Sequence, residues 1–191
     1  MKHPSCGTRV YRPRQAWTTL AAGPGVWCAS PRGVPACLPD RPRVAYSGRV
    51  GAHEIVITAD ELPGREDLVT LYEAVGWSRY TTDPELLEAA VRGSTRVVVA
   101  RYGEDLLGLA RVVSDGATIA YLQDVLVRPE LQREGVGRAL VHAAMAPFAH
   151  CRQKVLLTDD DPAQRAFYES LGWVEVREHG DGRLRAFVQI G

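Results

Sequence analysis

The chain has 191 residues, of which 46% are hydrophobic and 24% are charged, and its formal net charge is zero. These values are ordinary for a globular protein, and the lack of any run of 18 apolar residues argues against a membrane-spanning helix. Four cysteines without Cys-x-x-Cys or Cys/His spacing argue against a disulfide framework and a metal site, and we expect free thiols in a cytoplasmic protein.

Residues 1–52 differ in composition from the rest of the chain. They hold eight Lys or Arg and one acidic residue. Residues 53–191 hold fifteen Lys or Arg and twenty-two acidic residues. Seven of the twelve prolines also lie in 1–52, and a proline every few residues disfavours helices and central strands. We therefore predict a disordered or loosely structured basic tail, 1–52, followed by one folded domain, 53–191. No interleaving of aromatic and basic residues supports a nucleic-acid partner.

The predicted domain begins with a strand and two helices. His53–Thr58 is rich in β-branched residues and is predicted to be a strand. Asp67–Val75 carries apolar residues at helical spacing, and Gly76 ends this helix. The dipeptide Asp83-Pro84 is typical of an N-cap followed by the first helical residue, and it predicts a second helix to about Arg92.

Alternating strands and helices complete the domain. Thr95–Arg101, Leu106–Ser114 and Thr118–Val127 are predicted to be strands of an antiparallel meander, because short turn sequences separate them. A helix from about Glu134 to Ala146 follows. The last predicted elements are strand Lys154–Thr158, helix Pro162–Leu171 and strands Trp173–Arg177 and Leu184–Ile190. The order predicts an α/β fold with a mixed, mostly antiparallel central sheet flanked by helices.

One segment, Asp124 to Arg138, has a pattern that indicates anion binding. An apolar strand leads through a turn into a helix whose start carries Gly135 and Gly137. Unpaired N–H groups and the helix dipole attract anions at such a start, and glycine lets a phosphate approach closely. The segment is neither a Walker loop, since no Gly-Lys-Ser/Thr follows, nor a Rossmann fingerprint, since Leu140 stands at the third glycine position.

The sequence Gln-x-x-Gly-x-Gly after a strand, a turn and a proline resembles the acetyl-CoA signature of the GNAT superfamily of N-acetyltransferases. A second motif, Ala-Phe-Tyr-Glu-Ser-Leu-Gly-Trp at 166–173, extends the resemblance, which covers nearly all of 53–191 and excludes the tail. The resemblance implies the acyl-CoA N-acyltransferase fold and acetyl-CoA as cosubstrate.

The resemblance also implies a cofactor site. Main-chain groups of three strand residues would pair with the pantetheine arm: Val125, Leu126 and Val127. Main-chain N–H groups of the following loop and helix start would hold the pyrophosphate: Arg133, Glu134, Gly135, Val136, Gly137 and Arg138. Tyr168 falls on the family's usual tyrosine, which protonates or hydrogen-bonds the departing sulfur. The family often has asparagine seven residues earlier, where this chain has Asp161, a residue that still suits a helix N-cap.

Two further catalytic arguments come from the residues themselves. Tyr168 flanks the apolar stripe that Ala163, Phe167 and Ser170 predict, so its ring can face a cleft. An alkylammonium acceptor has a pKa near ~10.4 and must lose a proton before it reacts. Asp124, which enters the cofactor strand, is the candidate base. The alternative for Asp124 is a carboxylate with a purely structural role.

Trp77 and Tyr80 lie in the link between the first two helices, where the family admits its acceptor. They are candidate substrate-binding residues, and core packing is the alternative for Trp77. The predicted function is acetyl-CoA-dependent transfer of an acetyl group to a primary amine by direct attack. Two alternatives stay open: acetylation of a protein lysine or N-terminus, and a non-catalytic acyl-CoA-binding module. A small-molecule or protein amine is the expected partner, without a membrane, and a homodimer stays open.

Overall fold

A computed structural model of the protein describes residues 18–20, 45–50 and 53–189, with side chains from Glu54 onward. The described residues form seven strands and five α-helices. The strands are β1 (Thr18–Leu20), β2 (Ala45–Val50), β3 (His53–Ala59), β4 (Arg96–Tyr102), β5 (Asp105–Ser114), β6 (Ile119–Val127) and β7 (Gln153–Leu156). The helices are α1 (Arg65–Ala74), α2 (Ser78–Thr81), α3 (Pro84–Arg92), α4 (Val136–Met145) and α5 (Pro162–Glu169).

The strands form one sheet whose order follows the chain. Each neighbouring pair from β1 to β6 is antiparallel. The amide of Gln153 donates to the carbonyl of Thr118 at 3.0 Å, which joins the beginning of β7 to the beginning of β6. Because two beginnings meet there, these strands run in the same direction. The predicted mixed, mostly antiparallel sheet is therefore confirmed.

Two strands lie in the segment predicted to be a tail. The expectation that the proline-rich residues sustain no central strand is wrong for β2, which lies between β1 and β3, whereas β1 is an edge strand that the expectation did not exclude. The physical reason is visible in β2, whose six residues lie beyond Pro42, contain no proline and pair with β3 from Tyr46–Ile57 to Val50–His53. The rest of 1–52 lies outside the described residues, and the division at residue 52 stays a prediction.

Helices cover both faces of the sheet. On one face, α1 and α3 pack a cluster with the strands that includes Leu71, Tyr72, Val91, Leu109 and Leu126. A side chain at Gly108 would instead contact Leu140 of α4. Because consecutive strand residues point to opposite faces, α4 lies on the face opposite α1 and α3. Among the described residues, none of these helices combines the length and apolar character that crossing a bilayer requires.

Several predicted helix boundaries are confirmed. The Asp83 carboxylate accepts a hydrogen bond from the amide of Leu86 at 3.0 Å, which caps α3 ahead of Pro84. The Asp161 carboxylate accepts from the amide of Ala163 at 2.6 Å and caps α5. The short helix α2 was not predicted, because four residues carry too little periodicity to detect.

The chain divides into two compact units after Lys154. In the second unit, the prediction of strands at Trp173–Arg177 and Leu184–Ile190 is wrong, because the described residues up to 189 form no strand there. The backbone turns instead, with the amides of Glu178 and His179 both donating to the carbonyl of Glu175. The guanidinium of Arg165 binds three carboxylates and holds this turn: Glu169, Glu175 and Glu178.

The prediction that α5 buries an apolar stripe is also wrong. Ala163, Ala166 and Ser170 are exposed, and Phe167 is half-buried. The missing strands explain the difference within this unit, because a turn held by exposed ion pairs offers no apolar sheet face for the helix to cover.

Candidate active site

The loop between β6 and α4 is fixed at both ends. The amide of Arg128 donates to the carbonyl of Leu107 at 2.9 Å, and the Gln132 side chain donates to the carbonyl of Val127 at 3.2 Å. Between them, Pro129–Leu131 forms one turn of 3-10 helix. The loop therefore starts α4 at a fixed distance from the end of β6.

The start of α4 has the backbone of an anion site. Arg133 and Gly135 take left-handed φ angles of 65° and 88°. Gly135 is the N-cap, and a glycine has no side chain with which to cap the helix. A left-handed residue followed by the helical Val136 turns successive N–H groups toward one side, and such a concavity accepts anions. Only glycine takes such a φ without strain.

A partly buried cation precedes this loop. The Nε of Arg128 is buried and has no hydrogen-bond partner among the described residues. Buried donors are nearly always paired, so this guanidinium favours an anionic oxygen that the described residues do not supply. Together with the uncapped helix start, this orphaned donor fits the pyrophosphate or phosphate of a nucleotide-bearing cofactor.

Gly108 brings α4 close to the sheet. A Cβ at this position would lie 2.8 Å from the carbonyl oxygen of Leu126 and 3.0 Å from Cδ1 of Leu140. Any larger residue would therefore push the backbone of β6 and the Leu140 side chain of α4 away from β5. Sequence reasoning did not single out Gly108, although a lone glycine within the apolar run of β5 is a signal for such an approach.

Asp124 lies in a buried polar cluster. Its Oδ2 accepts from the hydroxyl of Tyr72 at 2.6 Å and from Nε of Arg111. The Nη1 of Arg111 reaches Oγ of Ser94 at 3.3 Å. The Asp124 side chain has no solvent exposure, and a register shift leaves Gln123 as the extra residue of a β-bulge beside it. The cluster links α1, the segment that follows α3 and two strands at this bulge.

The charges of this cluster shift its pKa values. Burial is the main cause that raises the pKa of Tyr72, and the Asp124 carboxylate raises it further. Burial would lower the pKa of Arg111, but its ion pair with Asp124 outweighs that effect and the pKa is raised. Tyr72 thus stays a neutral donor and Arg111 a cation. A charged residue in the apolar strand β5 is the sequence signal that could have found Arg111.

Tyr72 connects this cluster to an aromatic surface. The rings of Trp77 and Tyr80 are stacked, with centroids 5.6 Å apart and planes 27° apart. Tyr72 contacts both of them, at centroid distances of 6.1 and 5.6 Å. Trp77 is half-buried and packs against the core, whereas Tyr80 is 43% exposed, and the substrate-binding assignment of both stays a prediction. The structure brings together these two candidate substrate residues and Asp124.

The residues of this site lie within a segment that matches a known protein family. The family model described as "Acetyltransferase (GNAT) domain" matches residues 71–187, which is more than half of the chain. The chain belongs to the GNAT acetyltransferase family. This membership confirms the predicted superfamily and the predicted enzyme class, an N-acetyltransferase.

Three similar proteins illustrate this GNAT membership. The solved GNAT family protein SP0256 of Streptococcus pneumoniae TIGR4 is 31% identical, with a TM-score of 0.63, and the match covers 72% of this chain and 98% of that one. FG08082 of Gibberella zeae, named as an acetyltransferase, is 37% identical over 75 residues, which are 38% of this chain and only 41% of that relative. The aminoglycoside N-acetyltransferase AAC(6')-Iy in complex with CoA shares the fold at 14% identity, with a TM-score of 0.56 over 74% of this chain and 98% of that one.

The second GNAT motif lies in the second compact unit. Tyr168 is half-buried, and burial raises its pKa to about 12. Its ring contacts Phe167 and Trp173 edge to face, at centroid distances of 5.0 and 6.4 Å. Its carbonyl accepts from the amide of Trp173 at 3.1 Å. These contacts fix the ring within its own unit, and the catalytic assignment of Tyr168 rests on the motif.

The β6 residues assigned to the cofactor pair with β5 along one edge of the strand. Val125, Leu126 and Val127 pair with Ala110, Leu109 and Gly108 of β5. The family resemblance assigns their other edge to pantetheine, and this assignment stays a prediction. The residues assigned to the pyrophosphate coincide with the uncapped, left-handed start of α4.

Proposed function

We propose that this GNAT protein transfers the acetyl group of acetyl-CoA to a primary amine by direct attack. The observation that carries the proposal is the start of α4, where the N-cap is left-handed Gly135, which has no side chain to cap the helix, after the strand and loop that the family signature includes. The orphaned Nε of Arg128 supports the binding of a phosphate-bearing cofactor at the same place. GNAT membership supplies the reaction class.

The end of β6 and the start of α4 would each hold a different part of the cosubstrate. The main-chain amides from Arg133 to Arg138 would bind the pyrophosphate, and Arg128 would add a charged donor. Val125, Leu126 and Val127 would bind the pantetheine arm along the edge of β6. Acetyl-CoA supplies an activated carbonyl and a thiol leaving group. Gly108 leaves room for the backbone of β6 and for Leu140 of α4 beside β5, so both sets of contacts would lie on closely packed elements.

The transfer needs a neutral amine. The amine nitrogen attacks the thioester carbonyl, the C–N bond forms, the C–S bond breaks, and one amine proton ends on the CoA thiol. An alkylammonium with a pKa near ~10.4 is about one part in a few thousand neutral at pH 7. The Oδ2 of Asp124 already accepts from Tyr72 and Arg111. We therefore assign Asp124 a positioning role at the bulge of β6, and the extra ammonium proton leaves to water.

Tyr168 would act on the leaving sulfur as a hydrogen-bond donor. Its pKa of about 12 makes its hydroxyl a much weaker acid than a thiol, whose pKa is near ~8.5. Complete proton transfer to a thiolate would therefore run uphill. A neutral hydroxyl still stabilises developing negative charge, as donors in oxyanion holes do.

A coupled assay tests the proposal. Purified protein is mixed with acetyl-CoA and a panel of amines, including a lysine peptide, and thiol release is measured together with the mass of the acetylated product. We expect amine-dependent thiol release and a product heavier by one acetyl group. Calorimetric binding of CoA without acetylation of any amine would overturn the enzyme proposal and support the acyl-CoA-binding alternative.

A further inference from the structure

The aromatic surface next to α2 consists of three rings in mutual contact, those of Tyr72, Trp77 and Tyr80. Trp77 and Tyr80 are stacked on each other, and Tyr72 closes the inner side of the pair. Tyr80 keeps 43% of its surface exposed and Trp77 is half-buried, so the stack ends in solvent. Rings that stack or meet edge to face at such distances stabilise one another beyond the area that they bury.

The charges near this surface do not suit a polycation. Asp124, which lies behind Tyr72, is neutralised by Arg111. The same short helix that carries Tyr80 also carries the exposed Arg79, whose positive charge repels cations.

The carboxylates of the neighbouring helix are also engaged. Glu85 and Glu88 of α3 both bind Arg65, and Glu88 binds Arg92 as well. The N-cap carboxylate of Asp83 accepts from the backbone of α3. A ligand with several ammonium groups needs uncommitted carboxylates, and neither these three acidic residues nor Asp124 supplies one.

We infer that the acceptor of this acetyltransferase is an arylalkylamine, a primary amine whose alkyl chain ends in an aromatic ring that packs on Trp77 and Tyr80. The inference rests on the proposed function and adds its substrate class. The ring supplies binding through stacking, whereas the single amine reacts as the neutral base. In the transfer, its nitrogen gains the acetyl carbon, the C–S bond breaks, and one proton ends on the CoA thiol.

A substrate panel tests the ring preference. Tryptamine and phenethylamine are compared with 2-cyclohexylethylamine, which has a ring of similar size without π electrons, and with kanamycin as a polycation. We expect kcat/KM for phenethylamine to exceed that for cyclohexylethylamine by ~3–10-fold, the range expected for one aromatic pair. We expect kanamycin to be the poorest substrate. A preference for kanamycin or for the cyclohexyl compound would overturn the inference.

A variant with a matched control assigns that preference to the stack. Tyr80→Leu keeps apolar bulk and removes the ring, and we expect the phenethylamine-to-cyclohexylethylamine ratio of kcat/KM to fall toward one. Tyr102→Leu is the control, because Tyr102 is 44% exposed and lies at the turn between β4 and β5. We expect it to keep the wild-type ratio. A structural defect would lower both rates without changing the ratio. A ratio unchanged in Tyr80→Leu would overturn the role of the stack.

Binding separates this inference from the proposed function. If CoA binds and no amine is acetylated, the enzyme proposal fails, and calorimetry of tryptamine with the CoA-bound protein then decides the inference. Tryptamine binding that Tyr80→Leu weakens, and Tyr102→Leu does not, would support an arylalkylamine site without turnover. No tryptamine binding would overturn the site as well.

Discussion

Arg111 and Asp124 are the charged residues on which the geometry of β6 depends. Their ion pair is buried, and Asp124 also accepts from Tyr72 beside the bulge at Gln123. Removing one partner of a buried pair leaves an uncompensated charge, which is far more costly than replacing both. The sequence singled out Asp124 as a candidate base, and that role stays a prediction. The burial that determines its role depends on Tyr72 and Arg111, which come from distant parts of the chain.

The first prediction concerns Asp124→Asn. We expect the free energy of unfolding to fall by about 3–5 kcal/mol, because Arg111 stays buried without its carboxylate. In the folded fraction, kcat/KM should still rise tenfold per pH unit between pH 6 and 9 in both proteins, because the neutral amine is the reactive form. Urea denaturation and pH–rate profiles measure the two effects. A wild-type profile that levels off in this range, and a variant profile that does not, would identify Asp124 as the base.

A second prediction at this scale concerns Tyr168→Phe. The change removes one hydroxyl and keeps the ring contacts with Phe167 and Trp173, so the thermal midpoint should barely move. We expect kcat to fall by ~10²–10³, the usual effect of removing one donor to developing negative charge. KM for acetyl-CoA should change little, because the contact strengthens as the C–S bond breaks. Since the pKa of Tyr168 is about 12, the wild-type hydroxyl stays protonated up to about pH 11. Near-wild-type kcat with rate-limiting chemistry would remove Tyr168 from the mechanism.

At the scale of elements, the start of α4 carries the cofactor proposal. Its position depends on Gly108, on the 3-10 turn after β6 and on the left-handed residues Arg133 and Gly135. The strand-turn-glycine pattern predicted the strand, the turn and the helix. It could not predict the left-handed φ of Arg133, because arginine rarely adopts one and local sequence gives no sign of it.

The third prediction compares two left-handed glycines. Gly135→Val places a branched side chain at the helix start, and Gly116→Val places one in the turn between β5 and β6, where an added Cβ would have no neighbour within 4 Å. Both changes strain a positive φ, so we expect both to destabilise the fold. We expect Gly135→Val alone to weaken CoA binding, by at least tenfold in calorimetric titration. Equal CoA affinity in the two variants would place the pyrophosphate elsewhere.

At the scale of the whole molecule, local sequence patterns predicted the central elements better than they predicted the two ends of the folded part. Strands β3 to β6 and helices α1, α3 and α4 formed where periodicity and caps placed them. The errors lie at the two ends of the chain. Proline density concealed β2, whose pairing with β3 is a tertiary contact, and the strand predicted at Trp173–Arg177 is a turn that Arg165 holds. Ion pairs between residues ten or more positions apart leave no local pattern.

The last prediction asks how much of residues 1–52 the domain needs. A chain that starts at residue 45 keeps β2, and a chain that starts at residue 53 loses it. The two differ by eight residues, and the second uncovers the edge of β3 that pairs with β2 from Tyr46–Ile57 to Val50–His53. An unpaired edge strand loses ladder hydrogen bonds and becomes a site for aggregation. We therefore expect the shorter chain to melt at a lower temperature and to form oligomers at high concentration, while the longer one keeps a single cooperative transition. Calorimetry and light scattering measure both properties. Identical melting of the two chains would show that β2 adds nothing to the fold and that the domain begins at His53, as its sequence predicted.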